Sequence, residues 1–287
     1  MSSSAGDLLL PDADLLADLE AIAVDVARSA GRLVVDERPD AVEVASTKST
    51  ATDVVTVMDQ RSQDHLLARL REARPDDAVL GEESGGATGT SGITWVIDPI
   101  DGTVNYLYGI PAYAVSVAAV VGDPTTAGAW RPCAGAVFDP VNDEMYAARS
   151  GGGSRVVVAG RERPLVPTTC TDLGQALVGT GFGYAAQRRE RQAHLLLDVL
   201  PRIRDIRRHG SAALDLCGVA AGRLDAYFET GLNPWDLAAG WLVATEAGVL
   251  VGGLDGPAEP LTWACVPGLD PSFPDLVKEG TLRHLNG

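Results

Sequence analysis

The sequence is poor in cationic side chains: 23 Lys and Arg face 39 Asp and Glu, a formal net charge of −16. Such a chain repels a phosphate backbone, which argues against general nucleic-acid binding outside a local basic patch. Residues 188–191 and 202–208 concentrate the basic charge, with Asp205 interrupting the second stretch, and both read as solvated helix faces. Cysteine is scarce as well. Cys133, Cys170, Cys217 and Cys265 lie far apart without a C-x-x-C pair, which argues against a zinc or dithiol site and fits a reducing cytoplasm. His65, His194, His209 and His284 have no G-x-S-x-G nucleophile motif near them, so a histidine-based triad is not expected. No apolar run reaches the roughly 18–20 residues that cross a bilayer. Met1 to Asp14 carry acids but neither Lys nor Arg, unlike a signal peptide. The expected location is the cytoplasm.

What the chain does have is length and a regular supply of apolar residues. Its 287 residues, 46% apolar and 22% charged, suffice for one large domain or two smaller ones around a sizeable core. Residues 1–12 read as a flexible leader and 13–287 as one domain, with subdomains of about 13–160 and 161–287 sharing a cleft. Leu15, Leu16, Leu19, Ile22, Ala23, Val26 and Ala30 recur at helical spacing to about Asp36. A polar loop at 47–53 precedes a second expected helix at 54–70, then a short strand at 78–81 running into Glu82-Glu83-Ser84. Strands are expected at 93–97, 113–121, 134–138 and 144–147, with Gly151-Gly152-Gly153 as a hairpin tip before another at 155–159. Strand and helix then alternate: strands at 176–181, 203–207, 224–229 and 261–266, helices at 187–200, 211–221, 236–247 and 271–285. Ser211 supplies an N-cap and Gly248 a stop. No internal repeat or low-complexity tract is present. The pattern predicts a layered α+β or α/β architecture.

Acids gather where elements end. The apolar run from Ile93 to Ile97 stops in Asp98-Pro99-Ile100-Asp101-Gly102-Thr103. Pro99 has a fixed φ and no N–H, so the strand should stop there, and Gly102 permits a tight turn or close approach to a ligand. Two carboxylates so close repel unless a cation or shared proton neutralises them. Glu82 and Glu83 follow a strand, Asp53 stands before an expected helix and Asp236 opens another. Taken singly, Glu82-Glu83 also fits a solvated loop, and Asp53 or Asp236 a helix cap. A carboxylate cluster without His or Cys selects hard cations, magnesium or manganese rather than zinc. Such ions between carboxylates and a phosphate are a device for phosphoryl hydrolysis. The D-x-D-G-T motif of phosphatases that form an aspartyl phosphate is one residue shorter than Asp98 to Thr103, and that spacing argues against a covalent intermediate.

Gly81-Glu82-Glu83-Ser84, Trp95 to Asn105, Gly210 to Cys217, Asp225 to Glu229 and Trp235-Asp236-Leu237-Ala238-Ala239-Gly240 together resemble the magnesium-dependent, lithium-sensitive inositol monophosphatase family, in its bacterial, actinobacterial type. The resemblance runs from about residue 14. It implies an αβαβα sandwich of the inositol monophosphatase and fructose-1,6-bisphosphatase type, commonly a homodimer. It implies hydrolysis of myo-inositol 1-phosphate by a metal-activated water, with two to three Mg²⁺ and Mn²⁺ as a substitute. Glu82, Asp98 and the Ile100 carbonyl would hold one ion, and Asp98, Asp101 and Asp236 another, with a third near Glu82. Thr103, hydrogen-bonded to Asp53, would orient the water. The Gly102 and Thr103 N–H groups would bind phosphate. Glu229 and the Gly210-Ser211-Ala212 backbone would contact the polyol, with Arg207 close behind. Substrates left open are histidinol phosphate, fructose 1,6-bisphosphate and 3′-phosphoadenosine 5′-phosphate. A regulatory role in transcription complexes, with 202–208 as partner surface, is the reading from another class.

Overall fold

The computed structural model describes residues 8–50, 52–83, 87–254, 256–257 and 260–285. In chain order the helices and strands are α1 (Ala13–Asp36), β1 (Val44–Thr47), β2 (Val54–Thr56), α2 (Val57–Ala73), β3 (Ala78–Gly81), β4 (Ile93–Asp101), α3 (Thr103–Tyr108), β5 (Ala114–Gly122), β6 (Trp130–Asp139), β7 (Glu144–Arg149), β8 (Ser154–Val158) and β9 (Arg161–Pro164). They continue with β10 (Leu177–Thr180), α4 (Ala186–Val199), β11 (Asp205–Arg207), α5 (Ala212–Ala220), β12 (Ala226–Glu229), α6 (Pro234–Glu246), β13 (Leu250–Gly252), β14 (Thr262–Cys265) and α7 (Ser272–Leu285).

Strands β3 to β9 form one seven-stranded sheet in sequence order, and β11-β10-β12-β14-β13 form a five-stranded sheet. In the larger sheet only β3 and β4 are parallel, so the meander of hairpins matches the run of strands expected there. Helix α1 buries Leu16, Leu19, Ala23, Val26, Ala27, Ala30 and Val34 along one stripe, which packs on β5, β6 and β7 with α2 beside it. On the sheet's other face lies α6, and behind it α5, which packs against the smaller sheet. Helices α7 and α4 cover that sheet from outside. The layers therefore run αβαβα, a mixed α+β sandwich. Among the described residues no helix is long and apolar enough to cross a membrane, and the four cysteines are free.

Two expectations are corrected. The helix expected over 54–70 begins at Val57, because Val54 and Val55 pair with β1 in an antiparallel hairpin and Thr56 caps the helix. Thr56 and Asp59 form a reciprocal capping box, the Asp59 carboxylate accepting from the Thr56 N–H at 2.7 Å. Asp53 thus precedes a strand rather than a helix. The strand expected to stop at Pro99 runs on as β4 to Asp101, the slip in its pairing with β5 falling around the proline. At the end of the expected leader the Leu8 carbonyl accepts from Arg131, and Asp12 caps α1 by accepting from the Leu15 N–H at 2.9 Å. Residues 1–7 of that leader, and Ser84 of the Gly81–Ser84 stretch, lie outside the described residues.

Candidate active site

Parallel pairing places Gly81 of β3 beside Ile97 of β4, so both strands deliver their chains to one edge of the sheet. Glu82 therefore stands next to Asp98. A regular strand would send Asp98 and Asp101 to opposite faces. The pairing with β5 slips by one between them, Asp98 facing Ser116 and Asp101 facing Ala114. The extra residue falls at Pro99-Ile100, where proline has no N–H to give a ladder, and it returns both acids to one face. Ser116 Oγ donates to the Trp235 carbonyl at 3.4 Å, anchoring the first turn of α6 above them. Asp236 Oδ2 there accepts from the Asn233 N–H at 2.6 Å. Among the described residues, carboxylate oxygens of Asp98, Asp101 and Asp236 all lie within 4.8 Å of one another.

Such a cluster is electrostatically uncomfortable. Burial, then repulsion from Glu82, Asp101 and Asp236, pushes the Asp98 carboxyl well above its ordinary range. Asp236 is pushed the same way by burial, Glu82 and Asp101. Asp101 rises to about 6 through burial, although the Ser211 hydroxyl and the Ala213 N–H donate to its Oδ2 at 2.6 and 2.7 Å. Burial also raises Glu82, against the opposing pull of Lys48. Lys48 Nζ bridges Glu82 and Glu83 at 2.7 and 2.6 Å. An all-oxygen donor set of this density, without His or Cys, fits a hard divalent cation.

Thr103 does not meet Asp53. Its Oγ1 lies 2.9 Å from Asp59 Oδ1 and 3.1 Å from the Ile100 carbonyl. Asp53 instead accepts from the Ser49 hydroxyl and N–H at 2.6 and 3.1 Å, closing its own loop at the cleft margin. Burial lifts the Asp59 carboxyl to about 6 even though Thr56 and Thr103 stabilise its charged form. The Thr56-x-x-Asp59 spacing was the signal for this residue.

The cleft above these acids has a volume of about 440 Å³. Gly102 and Gly210 abut at its base, both at positive φ, 103° and 95°, and a Cβ on Gly102 would stand 3.1 Å from the Gly210 carbonyl. The chain there enters Ser211, Ala212 and helix α5. Opposite stands Glu229, whose Oε2 accepts from the Tyr227 hydroxyl at 2.6 Å and would lie 1.9 Å from a Cβ on Gly181. Burial raises Glu229 to about 7. Arg207 does not reach this cleft. Residues two apart on a strand share a face, and Arg207 turns with Asp205, their ion pair closing at 2.6 Å. Arg208 lines the cleft in its place, together with Asp215, which takes a 2.5 Å contact from His209 Nδ1. Lys48, Asp59, Arg208 and Asp215 were all missed from sequence.

The sequence profile of the inositol monophosphatase family matches residues 15–279. Inositol-1-monophosphatase SuhB of Mycobacterium tuberculosis (strain ATCC 25618 / H37Rv) is 52% identical over 209 residues, 71% of this chain and 70% of its own. The Nus factor SuhB of Pasteurella multocida (strain Pm70) is 37% identical over 262 residues, 90% of this chain and 92% of its own. The solved structure of Mycobacterium tuberculosis SuhB superposes with a TM-score of 0.78 at 42% identity, covering 92% of this chain and 97% of that one. An inositol monophosphatase from Anabaena gives 0.76 at 28% identity, over 94% and 97%.

Proposed function

Because this chain belongs to the inositol monophosphatase family and is a phosphatase, we propose that it hydrolyses myo-inositol 1-phosphate in a Mg²⁺-dependent reaction without a phosphoenzyme. The convergence of the Asp98, Asp101 and Asp236 oxygens within 4.8 Å beside the Thr103–Asp59 pair carries this reading. Asp98, Asp101 and Asp236, with Glu82 and the Ile100 carbonyl, would hold two to three Mg²⁺. Bound there, Mg²⁺ polarises the phosphoryl oxygens and lowers the pKa of water, and Mn²⁺ would substitute. Thr103 Oγ1 donates to Asp59 and accepts from the attacking water, whose proton passes through that hydroxyl to the Asp59 carboxylate. The Gly102 and Thr103 N–H groups bind phosphate oxygens. Glu229 accepts from a ring hydroxyl, and Ser211 and Ala212 border the ring. The phosphorus–oxygen bond to the alcohol breaks as the water oxygen bonds to phosphorus, and the alkoxide leaves with a proton from solvent. The enzyme would act in the cytoplasm as a homodimer, with Glu82 serving both metal and water.

Purified protein should release phosphate from inositol 1-phosphate with Mg²⁺ and stop when chelator is added. Asp98→Asn should lose turnover by several powers of ten while keeping its circular dichroism. Full activity in chelator, or an active Asp98→Asn, contradicts the reading.

A second reading follows from relatives named Nus factor SuhB, namely a regulatory role beside catalysis. Co-purification of the inactive Asp98→Asn variant with transcription complexes would support it, and its absence from those complexes would remove it.

A further inference from the structure

Three cationic side chains line a cleft that is otherwise strongly acidic: Lys48, Arg188 and Arg208. Lys48 is committed to Glu82 and Glu83, and Arg188 donates to the Gly231 carbonyl at 3.4 Å. Arg208 differs. It makes no hydrogen bond or ion pair among the described residues, yet its guanidinium has a defined seat. Nη1 lies 2.5 Å from the point a Cβ on Gly210 would occupy, and Asn105 Nδ2 lies 2.8 Å from the same point. Any side chain at 210 would displace one or the other, and Asn105 is pinned by donating to the Ala112 and His209 carbonyls at 2.6 and 2.7 Å. The positive φ and the bare Cα of Gly210 thus seat a cation beside the backbone that leads into Ser211 and Ala212.

We propose that Arg208 is a specificity residue for a second anionic group, phosphate or carboxylate, on the alcohol portion of the substrate. This rests on the reading of the cleft as a polyol-phosphate hydrolase. The chemistry of the wall sorts the substrate's substituents. Glu229 and Asp215 accept hydrogen bonds and repel anions, so hydroxyls belong on their side. A guanidinium has only donors, in a fork that matches an oxyanion better than a hydroxyl. The Arg208 charge reaches both Asp215 and Glu229, but its donors bond to neither, so the fork beside Gly210 is left to take a second anion.

The test uses the full-length protein with Mg²⁺ and matched pairs of esters, with inositol 1-phosphate as the reference. Fructose 1,6-bisphosphate is set against fructose 1-phosphate, and 6-phosphogluconate against glucitol 6-phosphate. The wild type should prefer the doubly anionic member of a pair. Arg208→Gln should cut that preference about 10–100-fold in kcat/KM, chiefly through KM, and Arg208→Lys should recover part of it. Added salt should erode it, since the rim is exposed to solvent. Whichever pair responds identifies the anion as phosphate or carboxylate. Turnover of inositol 1-phosphate with no charge preference, or a preference that survives Arg208→Gln, overturns this inference alone. A wild type that turns over none of these esters overturns the parent reading and this one with it.

Discussion

Thr103 Oγ1 stands within bonding distance of both Asp59 and the Ile100 carbonyl, but a hydroxyl has one hydrogen to donate. An ionised carboxylate is the stronger acceptor, so the hydrogen points to Asp59 and the lone pairs face the cleft, where a water can donate to them. Replacing Asp59 by Asn keeps an acceptor oxygen but removes the base. Asp59→Asn should lower kcat for inositol 1-phosphate about 10²–10⁴-fold with little change in thermal melting. Asp53→Asn should cost far less, because Asp53 only closes its own loop onto Ser49. Equal losses in the two variants, measured by phosphate release, would return the base role to Asp53. The two residues show how far single side chains could be read from sequence. The aspartates of β4 were legible because a buried strand feeds them and Gly102-Thr103 follow, although the strand runs through Pro99 to Asp101 instead of stopping at the proline. Asp59 was not, because a stretch read as helix from Val54 puts it in a polar mid-helix position. With Thr56 as the N-cap and the helix beginning at Val57, Asp59 becomes the buried partner of a capping box, fixed in place against Thr103.

Helix α6 shows the same limit at the level of an element. The run Leu237-Ala238-Ala239-Gly240 after Asp236 was legible as a helix, but the complete burial of that run was not. The helix is squeezed between the larger sheet and α5, and a Cβ on Gly240 would lie 2.9 Å from the side chain of Leu216. Small residues there let α6 approach closely enough for its first turn to set Asp236 among the β4 acids. Ala239 is fully buried, so Ala239→Leu should overpack this layer and cost about 1–3 kcal/mol in denaturant unfolding. A further sign would be weakened metal binding from a shifted Asp236. Unchanged stability and unchanged metal affinity would mean that the layer is slack. The bulge in β4 was equally invisible: from spacing alone, Asp98 and Asp101 belong on opposite faces, and only pairing with β5 reveals the slip. Strand β11 marks where basic charge misled. Its Ile206 N–H donates to Asp205 at 2.7 Å and its carbonyl accepts from Arg207 at 2.8 Å. Arg207 is thereby held on the edge strand, which shields the sheet margin from added strands.

Across the whole molecule the two sheets meet over one acidic cleft, stitched at its margin by Thr52 Oγ1 donating to the Tyr184 carbonyl at 3.2 Å. The layered order was legible from the alternation of elements, but which acids converge depends on contacts between residues more than a hundred positions apart. That convergence has a thermodynamic signature. Asp59 and Asp101 are raised to about 6 and Glu229 to about 7, all by burial, with Glu82, Asp98 and Asp236 displaced in the same direction. Raised carboxyls make the folded state bind protons that the unfolded chain releases. Their contribution is complete below the unfolded values near pH 4 and is lost as pH rises through about 6 to 7. The slope is about 1.4 kcal/mol per pH unit for each proton so held. Glu144 acts oppositely, held low by Arg223 and Tyr146 despite burial, but its effect lies on acidification below the ordinary carboxylate range. Without metal, melting temperature should therefore fall between pH 5 and pH 7.5. A cation binds the deprotonated carboxylates and only the folded state gathers them, so its stabilisation should grow over the same interval. Scanning fluorimetry with Mg²⁺ and with chelator should show two curves that converge near pH 5 and diverge towards pH 7.5. Parallel curves would mean that the acids are neutralised by the protein itself, and that Asp98, Asp101 and Asp236 hold no ion.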